Sequence, residues 1–274
     1  MSTLPPQISS LPESENTDTW ASFISQLPVS RSSHSYFTGV SELLVSRLIA
    51  TPLSYDDPLV SAMSSVLSAP ASTSEAADLK QLISFSILGK LPRNRLEPYR
   101  NALTRLAAQP TEAEASTGVS ERSTSILELL DASQAWVPRT KSDDMAIRSL
   151  DLLVQTPDAM RPFVPALLEW LQDCNWPPWR PCRAQLARFP ELALEPIRAV
   201  LRDSDDGEWK HHLLWFLVEC MPGRVRQRAR LEVERIAQRP QQDEIDNDAH
   251  EAARECLEEM DHWADRAKIV NKRL

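Results

Sequence analysis

A chain of 274 residues with 42% hydrophobic and 25% charged side chains has ample apolar material for one large or two ordinary domains. Five glycines against 21 prolines argue against a strand-rich fold with glycine turns and favour helices joined at proline-marked corners. The formal net charge of −9 and pI near 5.2 weigh against nucleic acid as a partner, because an acidic chain repels phosphate unless its cations gather on one face.

Residues 1–18 are rich in Ser, Pro and acidic side chains and read as a disordered leader; they lack the basic start and apolar run of a secretory signal. Leu59, Val60, Met63, Val66 and Leu67 form the first clear helical stripe. From Asp144 onward the helical period is almost continuous. Ile147, Leu150, Leu153 and Val154 make one stripe, and Phe163, Val164, Leu167, Leu168 and Leu171 make the next. A short helix around Arg180 to Phe189 precedes one bearing Leu194, Ile197, Val200 and Leu201. The acidic turn Asp203 to Gly207 ends that helix and caps the following one. Trp209 to Met221 is apolar nearly all round, as a central buried helix would be, and Pro222-Gly223 stops it. A basic helix from Arg224 to Arg239 and an acidic one ending near Trp263 complete the order, leaving 264–274 as a tail. The most apolar run, Leu213 to Val218, is far shorter than the roughly 20 residues that cross a bilayer, so no membrane partner is expected. Cys174, Cys182, Cys220 and Cys256 show no CxxC spacing, which points to free thiols in a reducing compartment, the cytoplasm.

Shifted by 130 positions, residues 78–132 lie on 208–262 without a gap. DLKQLISFSILGKLP faces EWKHHLLWFLVECMP, and LTRLAAQPTEAE faces VERIAQRPQQDE. Lys80, Pro92, Arg105, Pro110 and Glu114 thereby meet Lys210, Pro222, Arg235, Pro240 and Glu244. The pattern reads as two tandem copies of one all-helical unit, over 19–132 and 136–263, the first degenerate.

Three stretches of the second copy carry a further signal: VPRTKSDDMAIRSLDLL (137–153), LLEWLQDCNWP (167–177) and the DGEWKHHLLWFL helix, followed by ERIAQRPQQDEIDNDA (234–249). With these the second copy resembles the domain of unknown function 5071 family, small helical domains related to HEAT-type repeats. The resemblance implies an all-α, solenoid-like fold and implies no activity. The first copy has no counterpart of QDCNWP; Gln26-Leu27-Pro28 stands roughly in its place, without a Trp.

Asn175, Trp176, Pro177, Pro178 and Trp179 form a corner between two helices. Asn175 suits an N-cap and a proline suits the first turn. Trp176 would wedge between apolar stripes, while Trp179, Arg180 and Arg183 would reach solvent as anchors for a partner. Asp173, Asn175, Trp209 and Lys210 could instead converge on a small polar pocket, Lys210 receiving an anionic group and Asp173 orienting it; the plainer reading is a satisfied polar network. Arg224, Arg228, Arg235 and Arg239 fall within an arc of about 60° on a helical wheel. Such a stripe suits phosphate, or an answering acidic face on the last helix, and the negative chain favours the second. Asp203 to Gly207 imitates a calcium loop, but its glycine comes one position early and Leu214 stands where the closing carboxylate belongs. His34, His211, His212, His250 and His262 show no zinc spacing, and no nucleophile elbow or Gly-rich phosphate loop occurs, so no cofactor or metal is called for. The expectation is a protein-interaction or scaffold module that binds another protein or peptide through its second unit. A small-ligand protein or enzyme using the Asp173–Lys210 pocket is the alternative, and nucleic-acid binding through the arginine stripe the third. Oligomeric state is left open.

Overall fold

The computed structural model describes residues 11–12, 16–27, 34–51, 54 and 56–271, so most of the expected leader, and Pro28, lie outside the described residues. Every regular element among them is helical. The chain divides into two compact units, Met1–Ala132 and Ser133–Leu274.

In the first unit Asn16 caps the Thr17–Ser25 helix by accepting the Asp18 N–H at 2.8 Å, and Trp20 and Ile24 turn inward against the Pro58–Ser68 helix. That helix has Pro58 in its first turn, and Asp57 accepts the N–H groups of Leu59 and Val60. Its stripe of Leu59, Val60, Met63 and Leu67 is buried. Ser74–Leu82 follows, then widens into a π turn at Ile83–Ile87. Beside this turn the buried Arg122 side chain lies against Gly89, where an added Cβ would stand 2.3 Å from its guanidinium. Short pieces at Arg93–Leu96 and Glu97–Tyr99 lead into Arg100–Ala108 and Val119–Asp131, which pack together.

The second unit opens with Asp144–Leu153, capped by Asp143. The Phe163–Leu171 stripe is delivered by short pieces, Pro157–Met160, Arg161–Phe163 and Val164–Glu169, because prolines at 157, 162 and 165 each restart the chain. Trp179–Ala187 and Pro190–Asp203 follow. Asp206 then caps Gly207–Cys220 by accepting the Trp209 N–H at 2.9 Å. Gly207 is required at that helix start: an added Cβ would meet the Asp243 carbonyl oxygen at 2.0 Å. The basic segment expected as one helix from Arg224 is three pieces, Gly223–Arg226, Gln227–Ala229 and Arg230–Gln238. The last helix continues past Trp263 to Asn271, so much of the expected tail is helical. Trp263 itself lies on Gly223, whose added Cβ would be 2.2 Å from the indole.

Many helix C-termini in both units are closed by guanidinium groups. Arg93 donates to Leu130 O (2.6 Å), Arg105 to Leu67 O (2.9 Å), Arg188 to Val154 O (2.6 Å), Arg226 to Val218 O (2.8 Å) and Arg235 to Leu201 O (2.7 Å). Each satisfies carbonyls that have no partner within their own helix. Among the described residues the two with left-handed backbone also stand 130 positions apart, Gly118 at φ 74° and Asp248 at φ 55°, each just before a long helix. We expect Gly118→Ala to lower stability by about 1–2 kcal/mol, because a side chain strains this conformation. Gly207→Ala should lower it by about 1–3 kcal/mol through overpacking against Asp243. Urea-denaturation midpoints check both.

Candidate functional site

Two clusters could carry function: a buried ion network that occurs once in each unit, and an aromatic corner and face confined to the second. The networks are built alike. In the second unit Glu244 is fully buried and accepts from Lys210 Nζ (2.6 Å), from both Arg235 nitrogens (2.7 and 2.6 Å) and from the Gln241 N–H (2.8 Å). In the first, Glu114 accepts from Lys80 Nζ (2.5 Å), from both Arg105 nitrogens (2.8 Å each), and from the Thr111 and Ala71 N–H groups. Arg105 and Arg235 also donate to Leu67 O and Leu201 O. An outer pair repeats as well, Arg100 with Asp131 at 2.8 Å and Arg230 with Asp261 at 2.7 Å.

Burial opposes ionisation of Glu114 and Glu244. The hydrogen bonds from Arg105 and Lys80, and from Arg235 and Lys210, outweigh it and hold both carboxyls below the usual carboxylate range. Burial pulls the Lys80 ammonium down, with Glu114 pulling the other way. The network decides the pocket hypothesis for Lys210. Its ammonium is wholly buried and held by Glu244 and Asp243, not by Asp173, so it offers nothing to an anion arriving from solvent. Asp173 instead accepts the Asn175 N–H at 2.8 Å in a local turn. Trp209 donates its indole N–H to Leu168 O at 3.1 Å, tying its helix to the preceding layer. The four residues of the expected pocket thus serve three separate contacts.

At the corner the two tryptophans exchange the expected roles. Trp179 is buried, 6% exposed, and packs against His212 with ring centroids 6.2 Å apart. Its indole N–H is buried without a hydrogen-bond partner. Trp176 is half-buried, edge-on to Trp170 at 5.4 Å, with Lys141 Nζ 4.8 Å above it. Asn175 is exposed and caps nothing; the helix begins at Trp179 after Pro178. The reason is geometric: the chain enters the helix three residues later than a cap at Asn175 would require, which leaves Trp176 in the preceding turn and makes Trp179 the first helical residue, packed inward. Arg180 is exposed. Arg183 is held in place, over the Trp179 ring at 5.0 Å, donating to Cys220 Sγ at 3.1 Å and paired with Glu219.

Three arginines of the stripe are answered by carboxylates. Arg224 and Arg228 pair with Glu191 at 3.1 and 2.5 Å, Arg228 also approaches Glu195, and Arg235 serves Glu244. Of the acidic segment expected to answer the stripe, Asp243 to Glu259, Glu244 takes Arg235, while Glu191 and Glu195 of the Pro190–Asp203 helix take Arg224 and Arg228. Cys182 and Cys256 are buried, and burial pushes both thiols up to about 12, which keeps them protonated. Among the described residues no group of three His, Cys, Asp or Glu side chains could hold a metal ion. A cleft in the first unit, lined by Leu48, Asp57, Arg95 and Tyr99 among others, has a volume of about 10 Å³, room for one water.

Sequence reasoning missed the residue that stands out on the second unit's surface, Trp215, 41% exposed. Its ring meets His211 edge-on at 4.5 Å and His212 at 5.9 Å. A signal was present. At 100° per residue Glu208, Trp215 and Glu219 fall within an arc of about 40°, so Trp215 sits between two glutamates on the wet side of a helix read as apolar nearly all round. His211 and His212 are fixed from Nδ1, by Asn247 O at 2.9 Å and Gln172 O at 3.0 Å. A carbonyl only accepts, so each ring donates there.

We expect Glu244→Gln to cost about 3–5 kcal/mol at pH 7, because it strands Lys210 and Arg235 beside a neutral group. Both glutamates have folded-state pKa values below their unfolded ones, so their stabilisation is present above about pH 4.5 and is lost as pH falls through the folded values. The gap between wild type and Glu244→Gln should therefore narrow below pH 4.5 in urea denaturation.

No curated protein matches the chain. Within the second unit, residues 136–257, which carry both the corner and the Trp215 face, match the family described as Domain of unknown function (DUF5071).

Proposed function

We propose that the chain is a protein-interaction module built from two tandem, HEAT-like copies of one helical unit, with the partner bound by the second copy. The duplication reading is supported by the two ion networks, the two Arg–Asp pairs and the two left-handed residues, which keep the 130-residue register. Four free cysteines accord with a reducing compartment such as the cytoplasm. No helix of the described residues is long and apolar enough to cross a membrane.

One observation carries the binding reading: Trp215, a large aromatic side chain 41% exposed on a rigid helix, at a place where the first unit has the half-buried Phe85. Tryptophan is enriched among the residues that dominate interface energetics. The enzyme alternative is weakened because Lys210 is buried and engaged. The nucleic-acid alternative is weakened because Glu191 and Glu195 neutralise Arg224 and Arg228, two of the stripe's exposed arginines.

Trp215→Ala removes an exposed side chain and should change stability by no more than about 0.5 kcal/mol. Trp179→Ala should cost about 3–5 kcal/mol, which makes it unsuitable as a binding probe. With tagged full-length chain and quantitative cross-linking, a specific partner should be lost with Trp215→Ala while the melting temperature holds. Capture of the same proteins at the same level by both forms would overturn the reading.

A further inference from the structure

Phe85 and Trp215 stand 130 positions apart, each in the helix that contributes its unit's buried lysine. Over Phe85 lies the Arg122 guanidinium, 4.9 Å from the ring centroid, supplied by the Val119–Asp131 helix. In the second unit the position 130 residues beyond Arg122 is Ala252, which has no cation to supply. Arg183, on the adjoining Trp179–Ala187 helix, is already engaged by Trp179, Glu219 and Cys220. Trp215 therefore presents its indole to solvent without a cation over it among the described residues.

Three exposed carboxylates lie on the segments that carry Trp215 and hold His211. Glu208 is exposed on the same helix face, two turns before Trp215. Asp246 and Asp248 are exposed on either side of Asn247, whose carbonyl holds His211 against Trp215. Because His211 donates from Nδ1, Nε2 of the neutral ring is its acceptor and can take an N–H from a bound group. A tryptophan face is the best aromatic partner for a guanidinium or ammonium, and the neighbouring carboxylates would repel an anionic segment.

We propose that Trp215 and His211 form a docking point for an arginine- or lysine-bearing peptide segment of a partner protein. The partner's cation takes the place over Trp215 that Arg122 takes over Phe85, with Glu208, Asp246 and Asp248 steering it in. This rests on the interaction reading above and adds to it the chemistry of the bound segment.

The test uses the full-length chain and fluorescein-labelled nine-residue peptides with arginine at alternate positions. A second peptide carries citrulline, the uncharged isostere, at those positions, and a third carries glutamate. Fluorescence anisotropy in about 0.15 M salt should show the arginine peptide binding most tightly. An acidic protein attracts any polycation, so the deciding variants leave charge unchanged. Trp215→Ala, and Trp215→Leu, which is apolar but has no π face, should each weaken arginine-peptide binding about three- to five-fold. Trp215→Phe should keep most of it. Unchanged affinity in Trp215→Ala, or equal binding of the arginine and citrulline peptides, would overturn the proposal. If Trp215→Ala loses a cross-linked protein partner while the peptides bind without preference, the interaction reading stands and the cation assignment falls.

Discussion

A carboxylate sealed away from water must be matched by cations and hydrogen-bond donors, and each unit of this protein is organised around one that is wholly buried, Glu114 in the first and Glu244 in the second. Glu244 gathers Lys210 from one helix, Arg235 from a second and the Gln241 N–H from the link between elements, while Arg235 reaches on to the last carbonyls of a third helix. Three helices and the link at Gln241 are thereby fixed at one point. A buried ion pair is weak evidence of stability by itself, since desolvation offsets much of the attraction. Its effect is on which packing is permitted: any arrangement that separates the helices leaves uncompensated charge in the interior.

That constraint reaches the surface through helix geometry. Lys210 and Trp215 are five residues apart, about 140° around the helix. Holding the Lys210 ammonium on Glu244 sets the rotation of the Gly207–Cys220 helix and so turns Trp215 outward. His211 and His212 are clamped by Asn247 and Gln172, and Trp209 is tied to Leu168. The exposed indole thus sits on a helix held at several points along its length. A binding residue placed this way loses little freedom when a partner arrives.

The first unit shows how the same register can hold a different surface. Its Lys80–Glu114–Arg105 network matches that of the second unit, yet its corresponding helix carries a π turn with Arg122 against Gly89 and over Phe85. In the second unit Ala252 and Glu219 stand at those two places and the helix is regular. Exchange of a few side chains around a common interior separates a covered aromatic from an open one.

Much of this architecture was legible in the chain. The helical stripes, the proline stops, the cap at Asp206 and the 130-residue register all follow from local rules: side chains three and four apart share a face, prolines break, and short polar side chains cap. The register even aligned Lys210, Arg235 and Glu244 with Lys80, Arg105 and Glu114 before any contact between them was known. What those side chains do, and which tryptophan of the corner faces inward, was not legible. Trp176 and Trp179 are three residues apart and would share a face of one helix; because the helix starts only at Trp179, Trp176 is left in the turn before it, against Trp170. Asp173 and Lys210 looked like partners because both lie in the family signature, but only the folded chain shows Lys210 held by Glu244 and Asp173 closing its own turn. Local sequence determines which elements form and where they end; which long amphipathic side chain meets which charge depends on what packs opposite, and that is decided by tertiary structure.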